Sequence, residues 1–564
     1  MGFTLIKTQK KINDLDSFKN IDDIYLKEFF NDKFINDKIV ALENNILICI
    51  DGVILNLKEL KKKYLCTNAK ELYFRLYSNY GIDMIKELRG NFSGIIYDII
   101  SKKTYSFTNH LGNKFIYYFH NSNDLIVSTD IFELAKYKKE LGYNLNLNEK
   151  SCYMMLTFGY MIHDFTLLND VNKILAGEYI ILQNSKLKRK KYFIYDNTNL
   201  TTMKKEEIMK EMYERFKYSL EQSFGKEKEE NYNHLCFLSG GLDSRMIAIG
   251  GNELGFRDIS TITFSQNYSL DETIARKISN DYNFDSIIKS LNNGGFLKNI
   301  NKYVKRNGGQ ILYSGAAHLV DTIDKVNLLN FGGVHNGNQA DIMHGDYIDA
   351  PYHSKPKIEN WAYSTKLIKK VNFLQKFAEE NYMNEEHFAV FNRGINGIYN
   401  GSISLHKNIE TFEDFTHVDI VSFSMRMDPK YKYKENLFLS MIQKYYKDAT
   451  NYKWQKWNAK PNKFNSMYMN GPIGKFYRKS NIMLNKIING QNNKLNMNPY
   501  DFWYENNDDL KNYLDTYFID NIEYLSKYNE LKNDCIYLYN NGCFSEKAQV
   551  LTLIEFNKIL VEEI

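Results

Sequence analysis

A short stretch of small and polar residues offers the clearest chemistry in this chain. An apolar run from His234 to Phe237 leads into Leu238, Ser239, Gly240, Gly241, Leu242, Asp243 and Ser244. This pattern predicts a buried strand, a tight loop and the first turn of a helix. Glycines let the backbone approach a ligand closely, and the amides at a helix start favour negative charge. The stretch therefore predicts a binding site for a polyphosphate.

The aspartate in this stretch suggests a metal ion as well. Asp243 and a phosphate have charge of the same sign, so we expect Asp243 to hold a Mg²⁺ that bridges the phosphates. No lysine follows the glycines, which excludes a Walker loop. The stretch resembles instead the SGGxDS loop of enzymes that cleave ATP between its α and β phosphates. That resemblance implies adenylation of a carboxylate, and it assigns the residues 238–244 to ATP and pyrophosphate binding.

Length, charge and cysteine usage narrow the class of protein. A chain of 564 residues is too long for a single core, so we expect two or more domains. Its 73 basic and 68 acidic residues give a net charge of +5, which does not indicate a nucleic-acid partner. We find no apolar run of about 20 residues and no signal peptide, so we expect no membrane contact and a cytoplasmic location. Six scattered cysteines fit a reducing compartment without a zinc site.

The first third of the chain has the alternation of an antiparallel sheet. Strands are predicted at 45–50, 53–56, 92–98, 103–107 and 115–119, with Asp51-Gly52 as a turn between the first two.

Motifs in this region resemble those of glutamine-dependent asparagine synthetases. Segments 50–60, 88–94 and 111–118 are similar to their NGEIYN, LRGxFAF and LGxKPLYY motifs. The resemblance implies an α+β Ntn-hydrolase-like sandwich over residues 1–195, with a nucleophilic cysteine at the mature N-terminus. This chain has Gly2 there, and Asp51 replaces the asparagine that helps to stabilise the oxyanion. We therefore predict a degenerate class II glutamine amidotransferase-like domain that cannot hydrolyse glutamine.

The remainder, residues 196–564, alternates helices and strands. A helix at 203–222, a strand at 259–264 and a helix at 271–277 predict an α/β domain with a parallel, doubly wound sheet that binds ligands at its carboxyl edge. The resemblance identifies it as a PP-loop domain of the adenine nucleotide α-hydrolase type, which acts as an asparagine synthase-like ATP pyrophosphatase.

A second glycine-containing segment is expected to close the ATP site. Residues 328–347 resemble the family's GxGADExxxGGY motif. The resemblance implies that Asp341 holds a second Mg²⁺ opposite Asp243, and that Thr263 and Gly337 contact ATP. Two residues depart from the subclasses: Ile342 replaces the glutamate of asparagine synthetases, and Asn338 replaces a tyrosine of β-lactam synthetases.

Basic residues further along are candidates for contacts with the reacting groups. By resemblance, Lys460 is the catalytic lysine that offsets charge when an amine attacks the acyl-adenylate. Lys432 or Lys434 could add a phosphate contact. Arg393 and His406 lie in a stretch expected to face substrate, without an assigned role.

Together these features predict an ATP-dependent carbon-nitrogen ligase that forms AMP. Its partners would be a small-molecule or peptide carboxylate and an amine. A homodimer is one possible oligomeric state. Without a glutaminase, we favour an amine within the substrate and intramolecular closure, as in β-lactam synthetases or lasso-peptide cyclases. One alternative is an amidotransferase that uses ammonia or a partner's glutaminase on an amino acid or a cell-surface sugar acid. Another is a non-catalytic ATP-binding homologue.

Overall fold

The N-terminal part of the chain is a sandwich of two antiparallel sheets. A computed structural model describes residues 2–10, 12, 17–462, 464–465 and 496–564. The first sheet, in the order β10-β8-β9-β1-β3-β2, contains β1 (Gly2–Lys7), β2 (Lys19–Ile21), β3 (Ile24–Phe29), β8 (Tyr117–His120), β9 (Leu125–Ser128) and β10 (Val171–Lys173). The second, in the order β12-β11-β7-β6-β5-β4, contains β4 (Ile39–Glu43), β5 (Ile46–Ile54), β6 (Gly90–Asp98), β7 (Lys103–Thr108), β11 (Glu178–Gln183) and β12 (Lys186–Lys191). Its helices are α1 (Leu57–Lys63), α2 (Ala69–Tyr80), α3 (Ile131–Glu140) and α4 (Glu149–Phe158).

The alternation of apolar residues explains how the sandwich is layered. Leu47 and Cys49 of β5 belong to the core between the two sheets. Ile48 and Ile50 belong to the core between the second sheet and the helices α1 and α2. Successive side chains of a strand point to opposite faces, so this one strand contributes to two layers.

One predicted turn is wrong. Asp51 and Gly52 lie inside β5, where they pair with Ser93 and Phe92 of β6. Gly52 has a φ of +133°, and a Cβ there would lie 2.1 Å from the carbonyl oxygen of Asn91. The glycine is needed for close contact between two buried strands rather than for a reversal of the chain.

The C-terminal part is built on a parallel sheet of five strands. In the order β15-β14-β13-β16-β17, these are β13 (His234–Phe237), β14 (Ile259–Ser265), β15 (Asp285–Ser290), β16 (Gly333–His335) and β17 (Glu410–Phe412). The helices are α5 (Lys205–Glu229), α6 (Leu242–Glu253), α7 (Leu270–Tyr282), α8 (Ile300–Asn307), α9 (Ser314–Ile323), α10 (Asp341–His344), α11 (Phe373–Asn381), α12 (Glu385–Ala389), α13 (Asn400–Ile403), α14 (Val418–Met425), α15 (Pro429–Lys432), α16 (Asn436–Tyr445), α17 (Tyr500–Asn506), α18 (Asp508–Asn521), α19 (Asn529–Asn541) and α20 (Phe544–Glu562). A π-helix, Val390–Tyr399, joins α12 to α13.

These two architectures confirm the predicted fold class, an antiparallel α+β sandwich followed by a parallel α/β domain. The strand β12 ends at Lys191 and α5 begins at Lys205, so the predicted boundary at residue 195 falls in the connection between them. The boundary itself stays a prediction.

One large core joins the two parts of the chain. The last helix, α20, is buried along nearly its whole length and packs against α4 of the first part and α8 of the second. Phe556 of α20 contacts Phe132 of α3, with ring centroids 5.2 Å apart. Among the residues that the structure describes, no helix is both long and apolar enough to cross a membrane.

Candidate active site

The glycine-rich loop lies at the carboxyl end of the central strand. The strand β13 ends at Phe237, and α6 begins at Leu242, as the sequence predicts. The amide of Leu238 donates to the carbonyl of Ile262 at 2.9 Å, and the hydroxyl of Thr263 donates to the carbonyl of Leu238 at 2.8 Å. Thr263 therefore fixes the start of the loop. It is not among the residues that line the adjacent cavity.

The loop is held open by its own hydroxyls and by one carboxylate. The Ser244 hydroxyl accepts from the Ser239 amide at 3.1 Å, and the Ser239 hydroxyl accepts from the Gly241 amide at the same distance. The amide of Gly240 donates to Asp271 Oδ1 at 3.0 Å. The Gly240 amide thus already donates to a negatively charged oxygen. A phosphate oxygen could accept the same kind of bond, so this loop fits a polyphosphate.

Arg245, which the sequence analysis overlooked, orients the loop from behind. Its fully buried guanidinium donates to the carbonyls of Gly240 and Gly241 at 2.7 and 2.8 Å, and it also donates to the carbonyls of Ala449, Tyr452 and Lys453. In a trans peptide, the N–H points away from the preceding carbonyl. Drawing these two carbonyls inwards therefore turns the amides of Gly241 and Leu242 outwards. The sequence did contain a signal for this role, because a single arginine directly precedes the apolar run of α6.

Two expected metal ligands lie beside this loop. Asp243 is in the first turn of α6, and Asp341 is the first residue of α10. Burial, reinforced by the negative charge of Asp243, raises the pKa of Asp341 to about 6. Gly337 lets the two segments approach, because a Cβ on it would lie 2.9 Å from the Cβ of Asp243.

The structure adds a histidine that the sequence analysis did not single out. His344 Nε2 lies 2.8 Å from Asp243 Oδ1, and His344 Nδ1 lies 3.8 Å from a carboxylate oxygen of Asp346. Asp243 Oδ1 is buried and accepts no hydrogen bond. An orphaned buried carboxylate oxygen, with further ligand atoms beside it, fits a divalent cation.

A cavity of about 770 Å³ opens over the loop. One wall is the phosphate loop, and the opposite wall is formed by residues from both parts of the chain. The polar and aromatic lining comprises Tyr160, Ser239, Asp243, Ser244, Asp271, His318, Asn336, Asn338, Tyr363, Arg393, Gln455, Lys456 and Asn498. Leu238, Gly241 and Gly337 also line it, whereas Gly240 and Leu242 support the loop without facing the cavity. Burial raises the pKa of Asp271, while it lowers that of His318 to about 4.

Arg393 brings positive charge to the far wall of this cavity. Its guanidinium donates to the Tyr363 hydroxyl at 2.9 Å and lies over the rings of Tyr160 and Tyr363. Among the described residues, no carboxylate forms an ion pair with it. The π-helix around it is a feature that often marks functional sites. His406, in contrast, lines a different cavity and bonds Thr411.

The lysine predictions have different outcomes. Lys460 is exposed and does not line the cavity, although its neighbours Gln455 and Lys456 do. Its catalytic role stays a prediction, and the residues 466–495 that follow lie outside the described part of the chain. The suggestion of a phosphate contact by Lys432 is wrong, because its buried ammonium is paired with Glu386 and donates to the carbonyl of Ser424. Lys434 is exposed and does not line the cavity either.

The positions that the resemblance compares with the glutaminase nucleophile and oxyanion site hold a crowded glycine, Gly2, and a paired carboxylate, Asp51. A Cβ on Gly2 would lie 2.2 Å from the hydroxyl oxygen of Thr129. Asp51 is buried, with Lys38 and Lys114 at 3.6 and 3.5 Å. Both lysines also pair with Glu410 of β17, at 3.1 and 2.9 Å. The carboxylate at the oxyanion position is thus neutralised within a buried four-residue ionic cluster.

Comparisons with known proteins agree with this architecture. Residues 37–193 match a family described as a glutamine amidotransferase domain. A Methanocaldococcus jannaschii protein named as a glutamine-hydrolysing asparagine synthetase is 27% identical over 267 residues, which cover 44% of this chain and 49% of that protein. Residues 37–193 thus match the amidotransferase domain family, and the chain is similar to a protein named as an asparagine synthetase. This agrees with the family that the motifs indicated.

Other known proteins are similar to this chain at lower sequence identity. The amidase ChyE of Penicillium rubens is 24% identical over 238 residues, covering 39% of this chain and 34% of that protein. The matches therefore span half or less of the length of these curated relatives. Among solved structures, the allosteric regulatory enzyme of purine biosynthesis is 10% identical with a TM-score of 0.24, covering 51% of this chain and 74% of its own. A glutamine phosphoribosylpyrophosphate amidotransferase from B. subtilis has a TM-score of 0.25 at 9% identity. This match covers 53% of this chain and 86% of that protein's chain.

Proposed function

We propose that this chain is an ATP-dependent amide synthetase that adenylates a carboxylate and then couples it to an amine. One observation carries the proposal: the glycine-rich loop, Asp243 and the turn at Gly337 and Asn338 converge on one cavity at the carboxyl edge of the parallel sheet. That edge is where open α/β sheets bind their ligands. The name of the M. jannaschii relative supports amide synthesis as the chemistry.

The residues of the loop would bind and orient the triphosphate. Amides of the loop and the hydroxyls of Ser239 and Ser244 would donate to phosphate oxygens in place of their present internal partners, and Arg245 holds the loop in position from behind. Asp243 and Asp341 would hold Mg²⁺. When bound, Mg²⁺ offsets the charge of the triphosphate and of the leaving pyrophosphate.

The reaction proceeds in two balanced steps. A carboxylate oxygen of the substrate attacks the α-phosphorus of ATP, the bond to the β-phosphate oxygen breaks, and pyrophosphate leaves. An amine then attacks the acyl carbon, the bond to the AMP oxygen breaks, and the amine loses a proton. Arg393 is positioned to bind a second anionic group of the substrate, because its guanidinium faces the cavity without a carboxylate partner among the described residues. Lys460 remains our candidate to offset charge in the second step.

The amine would come from the substrate rather than from glutamine. Gly2 supplies no nucleophile, and the carboxylate of Asp51 occupies the position where a negative charge would have to develop. We therefore favour intramolecular closure of a molecule that contains both groups. Free ammonia as the amine is the alternative that the same site allows.

Isotope exchange between pyrophosphate and ATP is the direct test. We expect exchange with one carboxylate from a panel of amino acids, β-amino acids, linear peptides and sugar acids. Asp243→Asn should lower the exchange rate at least about 100-fold, because a transition-state charge loses its counter-ion. Asp281→Asn, an exposed residue of α7, is the matched control and should keep the wild-type rate.

The outcomes separate the candidate functions. A pyrophosphate exchange rate in Asp243→Asn equal to that of the wild type would contradict the proposal. Exchange followed by amide formation only when ammonia is added would favour the ammonia-dependent amidotransferase. ATP binding without exchange for every member of the panel would favour a non-catalytic homologue.

A further inference from the structure

The metal site contains a histidine whose position suggests that it binds the metal directly. His344 is the last residue of α10, and its ring packs on Phe438 with centroids 4.0 Å apart. Its side chain is 8% exposed. Gly345 follows with a φ of +86°, and this left-handed turn brings Asp346 back beside the imidazole. The ring is therefore held in place by packing and by the turn.

The contact between His344 and Asp243 is an ion pair without the directional geometry of a hydrogen bond. His344 Nε2 and Asp243 Oδ1 are 2.8 Å apart, yet each atom is buried and lacks a hydrogen-bond partner. Two ligands of one small cation have such a separation, since each lies about 2.0–2.2 Å from the ion. The other ring nitrogen lies 3.8 Å from a carboxylate oxygen of Asp346, within ion-pair distance, and metal-bound imidazoles often have a carboxylate on that side.

We propose that His344 Nε2 is a ligand of the metal ion held by Asp243, and that the site prefers a divalent transition-metal ion such as Mn²⁺ to Mg²⁺. This inference rests on the proposed function, because it places the ion on the same carboxylate. Mg²⁺ is bound almost entirely through oxygen and keeps several of its waters. An imidazole nitrogen suits transition-metal ions, so one histidine in a carboxylate site shifts the preference towards them.

Pulsed EPR of bound Mn²⁺ tests the proposal without relying on activity. The probe is Mn²⁺ with inorganic tripolyphosphate, which mimics the phosphates of ATP and contains no nitrogen. We expect a nitrogen-14 coupling that changes to a nitrogen-15 coupling when only the histidines are labelled with nitrogen-15. His344→Phe should abolish this coupling and weaken Mn²⁺ binding about 10-fold or more, while Mg²⁺ binding changes less than about 3-fold.

Two controls make the result specific. His318→Phe replaces another histidine that lines the cavity and should leave the coupling intact. If His344→Phe does not fold, nitrogen-15 labelling of the histidines in the wild-type chain still decides whether a histidine binds the Mn²⁺.

The failures of the two proposals can be told apart. If Asp243→Asn abolishes Mn²⁺ binding but the wild-type ion shows no histidine coupling, the role of His344 is overturned and the proposed function stands. If Asp243→Asn leaves Mn²⁺ binding unchanged, the placement of the metal fails in both proposals.

Discussion

At the scale of single residues, buried polar side chains set the geometry beneath the phosphate loop. His335 of β16 lies between two carboxylates, with Glu227 Oε2 at 2.9 Å and Asp414 Oδ2 at 3.0 Å. Glu227 also bonds His234 of β13 at 2.6 Å. Because Glu227 is on α5, this network ties the helix to the two strands that precede the loop and Gly337. Burial opposes a charge on His335, but the two carboxylates outweigh it and raise its pKa to about 10.

This network predicts that stability falls at alkaline pH. The folded pKa of His335, about 10, exceeds its unfolded value of about 6.5. The stabilisation is therefore complete below about pH 6.5 and is lost as the pH rises towards 10, at up to about 1.4 kcal/mol per pH unit. Denaturant unfolding at several pH values between 6 and 10 measures it. His335→Gln should have a lower free energy of unfolding than the wild type at pH 6, and that free energy should fall less steeply between pH 6 and 10. Equal slopes for the two proteins would contradict this role of His335.

At the scale of elements, the site depends on how closely the turn after β16 approaches α6. Gly337 contacts the start of the helix so tightly that a Cβ would lie 2.8 Å from the amide nitrogen of Ser244. Two residues further, Gln339 has a φ of +70°, which is unusual for a residue with a side chain. Its amide donates to the carbonyl of Gly394, and its oxygen accepts from the Tyr347 hydroxyl. These two bonds offset the strain of the left-handed conformation.

Gly337→Ala should separate the two elements and impair the site. The added methyl group would push Asp243 away from the segment that carries Asp341, so we expect at least a 10-fold loss of Mn²⁺ or Mg²⁺ affinity and of pyrophosphate exchange. Isothermal titration and exchange assays measure the two losses. Gly225→Ala is the control, because a Cβ there meets no atom within 4 Å, and it should leave both values unchanged. Wild-type metal affinity in Gly337→Ala would show that the contact is not needed.

At the scale of the whole molecule, buried charges join the two parts of the chain. The cluster of Lys38, Asp51, Lys114 and Glu410 connects the sandwich to the last strand of the parallel sheet. Asn31 extends it by donating to Glu410 Oε1 at 3.1 Å. The carboxylate of Glu410 pairs with both lysines, and their charges lower its pKa despite burial. The cluster thus gives the N-terminal sandwich a structural role in joining the two parts of the chain.

Removal of one carboxylate from this cluster should destabilise the whole protein. Glu410→Gln would leave two buried ammonium groups facing the single carboxylate of Asp51, at a cost of about 3–5 kcal/mol in the free energy of unfolding. Glu28→Gln breaks the more exposed pair with Lys19 and should cost less than about 1 kcal/mol. Denaturation curves of both variants give the comparison. Equal losses would mean that the cluster contributes no more than a surface pair.

The sequence by itself determined the local units of the fold from which the candidate site is built. The apolar run ending at Phe237, the glycines and the start of α6 predicted the strand, loop and helix that the structure contains. Asp243 and Asp341 were predicted as partners, and in the structure their charges lie close enough to interact, while their role as metal ligands stays a prediction. Such units depend on backbone preferences and apolar periodicity within about ten residues, so a sequence can specify them without knowledge of distant contacts.

Only the tertiary structure decided which charged groups meet. Lys38 and Glu410 are 372 positions apart, and nothing near either residue in sequence indicates the pair. The same holds for Lys432, where a predicted phosphate contact turned out to be the buried partner of Glu386. His344 gained its significance only from its distance to Asp243. Ion pairs and metal ligands are set by the packing of elements against one another, so their partners become known only when the fold is known.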